Sequence, residues 1–263
     1  LTSQDINNTA FPLMLKDFMF NHLFDSFNNL QNQIKEMTKK WSSITIIART
    51  HGQPASPTKL GKEFLVFHER IHNQLEILKG IKMSCKFGGA TGNFNAHVVT
   101  FPKTNWIKFA DNFTLKYLGL KRQKTTTQID HNDTLSQIMH ASLRINTILI
   151  DLCRDIWTYV SMDFFKQKIS DKEVGSSAMP HKVNPIDFEN AEGNFGISNS
   201  LNDYFVNKLT RSRLQRDLSD STVLRNIGLT FGYSQIALSS LLNGMNKVKP
   251  NISNINAVSY THL

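Results

Sequence analysis

"FNHLFDSFNNLQNQIKEMTKKW", Phe20 to Trp41, decides the fold class. Its apolar residues recur at Phe20, Leu23, Phe27, Leu30, Ile34, Met37 and Trp41, in steps of three and four that place all seven on one helical face. A face this long needs other helices to cover it, because tertiary burial rather than propensity sustains such a helix in water. The stretch predicts a long bundle helix.

The same periodicity spreads outward. After a break marked by Pro54 and Pro57, Leu60, Phe64, Phe67, Ile71 and Leu78 predict a second helix ending near Gly80, with Ser56 as N-cap and Pro57 at the first helical position. Further helical patterns cover about Trp106 to Tyr117 and Asp133 to Phe165. Asn184 suits an N-cap, with Pro185 first and Asp187 placed for a capping box, for a helix running towards Leu209. A last helix is expected from about Ser221 to Lys247. No strong strand alternation occurs, so the expected class is all-α, a long-helix bundle.

At 263 residues, 40% hydrophobic and 19% charged, the chain carries enough apolar material for a core and too little charge for disorder. No linker divides it, so one domain is expected over 1–250, with residues 1–5 able to be the end of a preceding one. The formal net charge of +9 implies affinity for anions and no more. The longest basic run, "LKRQK" at 120–124, is short for a nucleic-acid arm and lacks interleaved aromatics. Cys85 and Cys153 form no metal or redox spacing, which points to buried thiols in a reducing compartment. No run approaches the ~18 apolar residues of a membrane span.

One short motif misleads. "HERIH", His68 to His72, matches a zinc-holding HExxH pattern, but a third ligand is not where the pattern needs it: Leu78 stands six residues beyond His72, and no Glu occurs between Glu76 and Glu173. A solvated helix flank is the expectation there, and a tight turn for the glycines of "FGGATGN".

Three irregular stretches hold complementary chemistry. "THGQPASPTKLGKE" from Thr50 presents His51 in a loop, and histidine is the side chain whose ordinary pKa suits proton donation near neutrality. "GSSAMPHKVNP" from Gly175 sets Ser176 and Ser177 ahead of Lys182 and Asn184, a hydroxyl near a cation and a helix start that would stabilise its alkoxide. "QRDLSDSTVLRN" from Gln215 places Ser221 at an expected N-cap, Arg225 one turn on and Arg216 upstream, an arrangement suited to phosphate.

Together, and in this order, the three stretches resemble the fumarase/aspartase superfamily, and specifically its adenylosuccinate lyase branch. "LTSQDINN" at the start, "GATGNFNAH", "TTQID" and "PIDFENAEGN" extend the likeness through about Lys247. The resemblance implies β-elimination of fumarate from adenylosuccinate and from the related succinylcarboxamide ribonucleotide, with no metal or organic cofactor. It also implies a cytoplasmic homotetramer whose active sites are shared between subunits, acting on a small phosphorylated nucleotide and not on nucleic acid or membrane.

By the same resemblance, Ser176 is the base, His51 the acid, and Lys182, Asn184 and Ser177 stabilise the intermediate. Thr2, Ser3, Gln128 and Asn190 contact substrate, Arg216, Ser221 and Arg225 hold its anionic part, and Glu189 orients a histidine. The sequence departs from the family at Gln4, where an acidic residue is usual, and in the run after Gln128. Family chains begin before this Leu1 and continue past Lys247, so a fragment of low activity with a non-family tail at 251–263 is expected. The alternatives are argininosuccinate lyase or fumarase within the superfamily, a nucleic-acid binder, and an inactive helical scaffold.

Overall fold

The computed structural model describes residues 2–168 and 183–262. It is an all-α helical fold in which the few strands are short. Two compact units divide the chain: Leu1–Asp25, Glu76–Leu143 and Ser200–Leu229 form the first, and Ser26–Leu75, Arg144–Asn199 and Thr230–Leu263 the second.

Helix α1, Ser3–Phe18, passes through a single π-helical turn, Met19–Leu23, into α2, Phe24–Lys40. The apolar pattern begins this helix at Phe20, and the structure extends the helical run back to Ser3. Pro12 sits inside α1. Proline cannot donate to the carbonyl four residues back, but that carbonyl, of Asn8, accepts from Lys86 N at 3.3 Å instead.

In the first unit, Asp5 joins α1 to the glycine loop. Its carboxylate accepts from Lys86 Nζ at 2.7 Å, Gly88 N at 3.0 Å and Gly89 N at 3.1 Å. The paired side chains are 0% and 1% exposed, so each charge depends on the other. Burial alone would raise the Asp5 carboxyl, but the Lys86 ammonium and the Gly88 N–H outweigh it and hold it below the ordinary carboxylate range. The glycines make the tight turn the sequence implies, Gly89 at φ +81° and Gly92 at φ +78°; a Cβ on Gly92 would lie 2.3 Å from Thr126 O. After the short α4, Asn95–Thr100, comes α5, Trp106–Leu118; strands β3, Ser84–Cys85, and β4, Lys121–Arg122, pair in parallel, with α1 against β3 and α5 against β4.

In the second unit the residues from Ser42 to Lys59 depart from expectation. They form a hairpin, β1 Thr45–Thr50 with β2 Gln53–Lys59, in antiparallel register with a bulge between Ile47 and Arg49. Pro54 and Pro57 lie in β2, where a two-stranded ribbon leaves outward backbone positions that need no N–H donor. Helix α3 therefore starts at Leu60, running to Gly80, three residues after the expected start. Its first donors are met by backbone, Leu60 N to Ile44 O at 2.9 Å and Gly61 N to Trp41 O at 3.1 Å. Trp41, Phe64 and Phe165 pack with ring centroids 4.9, 5.3 and 6.1 Å apart at the centre of this unit.

Helix α6 spans Asp133–Ser161 and ends before the expected Phe165, which instead lies in β5, Phe165–Gln167. Helix α7 spans Ile186–Leu209. Pro185, not Asn184, supplies the first accepting carbonyl, and Asp187 pairs with Lys247 Nζ at 2.7 Å instead of closing a capping box. The final expected helix is divided into α8, Ser219–Leu224, and α9, Ile227–Lys247. Strand β6, Val248–Pro250, pairs with β5, and α10, Ile252–His262, lies against β1. Cys85 and Cys153 are free and buried, and burial pushes the Cys85 thiol up to about 12. Among the described residues, no helix is long and apolar enough to cross a membrane.

Candidate active site

The second unit carries His51 at the tip of the β1–β2 hairpin. Thr50 pairs with Gln53, leaving His51 and Gly52 as a two-residue turn with φ of +54° and +75°. Positive φ at both central positions is the geometry of the tight hairpin turn whose twist matches the strands. Arg49 Nη1 steadies it by donating to Gly52 O at 3.0 Å. The imidazole is exposed, so the backbone fixes where it is presented.

The first unit gathers a guanidinium cluster from segments far apart in sequence. Arg216 Nη1 donates to Gln128 Oε1 at 3.2 Å and Nη2 to Ser221 Oγ at 3.1 Å. Asp220 Oδ2 lies 3.9 Å from Arg216 Nε. Ser221 and Arg225 line one cavity of about 550 Å³, together with Gln4, Asn8, Ser84 and Asp130. Thr2, the N-cap of α1, and Ser3, its first residue, lie two and one residues ahead of Gln4. Thr2 N donates to Asp5 Oδ2 at 3.3 Å, which fixes that first turn.

Ser221 is not the N-cap. It is the third residue of α8, and the exposed end of that helix is organised by Asp217, whose Oδ1 accepts from Ser219 N at 2.7 Å and from the Ser219 hydroxyl. Those bonds hold the Asp217 carboxyl down at about 2. Six residues are too few for a substantial helix dipole, so anion affinity here rests on the arginines rather than on a helix terminus. The sequence signal for Asp217 is the run Asp217-Leu218-Ser219, which sets a side-chain acceptor two residues ahead of a helix-start N–H.

On α7, Asn190 Nδ2 donates to Ser240 Oγ at 2.5 Å, and its Oδ1 accepts from Asn194 Nδ2 at 2.9 Å. Glu189 accepts from Trp157 Nε1 at 2.9 Å. Asn184 is exposed just ahead of the helix. Ser176, Ser177 and Lys182 lie outside the described residues.

A larger and mostly apolar cavity, about 740 Å³, opens in the first unit between α1 and α5, lined by Ile6, Phe87, His97, Phe101, Trp106 and Phe109 among others. His97 is enclosed by Phe87, Phe94 and Trp106, with ring centroids at 6.0, 5.5 and 4.8 Å, and burial lowers its pKa. This cavity holds none of the candidate site residues. On α3, His68 and His72 stack with centroids 6.5 Å apart, and no group of three or more His, Cys, Asp or Glu side chains placed to hold a metal ion occurs among the described residues.

The helical scaffold thus presents an exposed histidine at a hairpin tip in one unit and a guanidinium held by neutral acceptors in the other. The chain belongs to the lyase family: residues 1–196 match the family described as Lyase, and residues 212–258 match the one described as Adenylosuccinate lyase C-terminal. Among curated proteins it is similar to several named adenylosuccinate lyase. That of Dictyostelium discoideum is 52% identical over 258 residues, covering 97% of this chain and 55% of the relative. Those of Legionella pneumophila (strain Corby) and Escherichia coli (strain K12) are 48% and 44% identical, covering 96% and 95% of this chain. The chain spans 55% of the length of each.

Proposed function

We propose that this chain is the central catalytic part, over 1–250, of an adenylosuccinate lyase. The observation that carries the reading is the ordered similarity to relatives of that name, reaching through the segment that contains Arg216, Ser221 and Arg225. The reaction is elimination of fumarate from adenylosuccinate to leave AMP, and the matching cleavage of the succinylcarboxamide ribonucleotide. Ser176 removes a proton from the carbon beside a carboxylate, the carbon–nitrogen bond breaks, and His51 protonates the departing purine nitrogen.

Proton removal beside a carboxylate concentrates negative charge there. Lys182, Asn184 and Ser177 meet it with a cation and hydrogen-bond donors, while Arg216, Ser221 and Arg225 hold the phosphate. Thr2, Ser3, Gln128 and Asn190 complete the substrate contacts, and Glu189 orients a histidine. A hairpin-tip histidine and a loop serine suit a site completed by neighbouring chains in a cytoplasmic homotetramer, working without metal or organic cofactor. The 263 residues alone are expected to have little activity.

The full-length protein is expected to turn adenylosuccinate into equal amounts of AMP and fumarate. Ser176→Ala is expected to lower kcat by about 10²–10⁴-fold while substrate affinity changes little. Unchanged turnover in that variant would remove Ser176 from the mechanism.

A further inference from the structure

Trp157 on α6 and Glu189 in the first turn of α7 are joined by a hydrogen bond from the indole Nε1–H to Glu189 Oε1 at 2.9 Å. One turn away on each helix, Arg154 pairs with Glu192 at 2.7 Å. Three residues forward along α6, from Arg154 to Trp157, match three residues back along α7, from Glu192 to Glu189. Residues three apart share a helical face, so these are neighbouring rungs between antiparallel helices.

The rungs differ in kind. Glu192 meets a cation, whereas Glu189 meets a neutral donor. An indole N–H holds a carboxylate oxygen by a charge-assisted bond and brings no charge of its own, so Glu189 is fixed without being neutralised. The Glu189 side chain is exposed, and the bond from Trp157 engages Oε1 rather than Oε2. Trp157 is 43% exposed and therefore not a core residue.

We propose that Trp157 is a positioning residue for the elimination: its indole N–H fixes the Glu189 carboxylate in the orientation from which that carboxylate holds a histidine. The proposal rests on the reading of Glu189 as the group that orients a histidine. A carboxylate free to turn about its side-chain torsions would face the ring for only part of the time, and a donor on a neighbouring helix removes that freedom. Asn190, the next residue, is held in the same manner by Ser240 of α9. Successive residues at the start of α7 are thus each fixed from a different helix.

The test uses the full-length protein and three variants: Trp157→Phe, which keeps a ring without the donor, Glu189→Gln, which keeps an acceptor without the charge, and the two combined. Adenylosuccinate kcat and KM are measured across pH. Trp157→Phe is expected to lower kcat about fivefold with KM nearly unchanged, through loss of one hydrogen bond to a charged group. Glu189→Gln is expected to lower kcat further, and the double variant to match Glu189→Gln, because Trp157 then has nothing to act through. A carboxylate stabilises the protonated form of an imidazole it holds. The limb of the kcat profile governed by that histidine should therefore move to lower pH in Trp157→Phe, in the direction Glu189→Gln takes it.

Losses that multiply in the double variant would overturn the proposal, since they would show the two side chains acting separately. So would an unchanged kcat in Trp157→Phe, or a raised KM with kcat intact, which would place the indole on the substrate. These outcomes remove Trp157 and leave the role of Glu189 standing. An unchanged kcat in Glu189→Gln removes both, and a wild type that turns over no adenylosuccinate removes the functional reading along with them.

Discussion

The two candidate regions are held in different ways. Arg216 is fixed by side chains: Gln128 and Ser221 share its terminal nitrogens, drawn from separate parts of the first unit. His51 is fixed by backbone: an exposed ring on a two-residue turn, with positive φ at both turn residues. With the roles proposed for them, the contrast teaches that an anion anchor and a proton-transfer group need different support. An anchor must have its charge aimed before the ligand arrives, whereas a transferring imidazole needs a defined place of presentation and freedom to change its hydrogen bonds.

The side-chain region should be the more fragile. The same unit depends on the Asp5–Lys86 pair, both charges of which are excluded from water. Lys86→Met is expected to cost about 3–5 kcal/mol, because it strands a buried carboxylate. Urea unfolding checks this, and a loss within the ordinary range for a surface residue would show that the first unit does not depend on the pair.

The backbone region should tolerate change in the opposite pattern. A non-glycine residue at φ +54° carries strain, so His51→Gly is expected to leave stability unchanged or to raise it by up to about 1 kcal/mol. In the full-length protein the same variant is expected to abolish most turnover. Retained turnover would remove His51 as the acid, and a large loss of stability would show that its side chain is structural.

The smallest effect concerns pH. Partial burial first, then the carboxylates of Asp151 and Glu63, raises Asp155 to about 6. A raised acid makes the ionised form unfavourable in the fold, so its contribution is present at about pH 4 and is lost as pH rises through 6. Asp155 is exposed and screened, so well under 1 kcal/mol is expected. Asp5 has the opposite sign: its lowered pKa stabilises the fold above the unfolded value and is lost as pH falls. Asp155→Asn should flatten the neutral side of the stability profile while the acid side stays steep.

The bundle helices were legible because a 3.6-residue stripe survives in the sequence wherever one face is buried, and the bounds of α5 and of the Leu209 end of α7 agree within a residue. The β1–β2 hairpin was not, because Pro54, Ser56 and Pro57 are poor strand residues that are tolerated only in a ribbon with free edges. The length of α1 was hidden by Pro12, whose missing bond is compensated by a residue more than seventy positions away. Within the site, the residue types and their order were readable, but the meeting of Gln128, Arg216 and Ser221 is a tertiary fact. Only their shared resemblance to one family suggested it.

One measurement tests the central claim most directly: the ultraviolet absorbance of the full-length protein with adenylosuccinate, argininosuccinate and malate in parallel. The account predicts change with adenylosuccinate alone, accompanied by AMP and fumarate. A response to argininosuccinate or malate instead, or no response from a folded assembly, would contradict it.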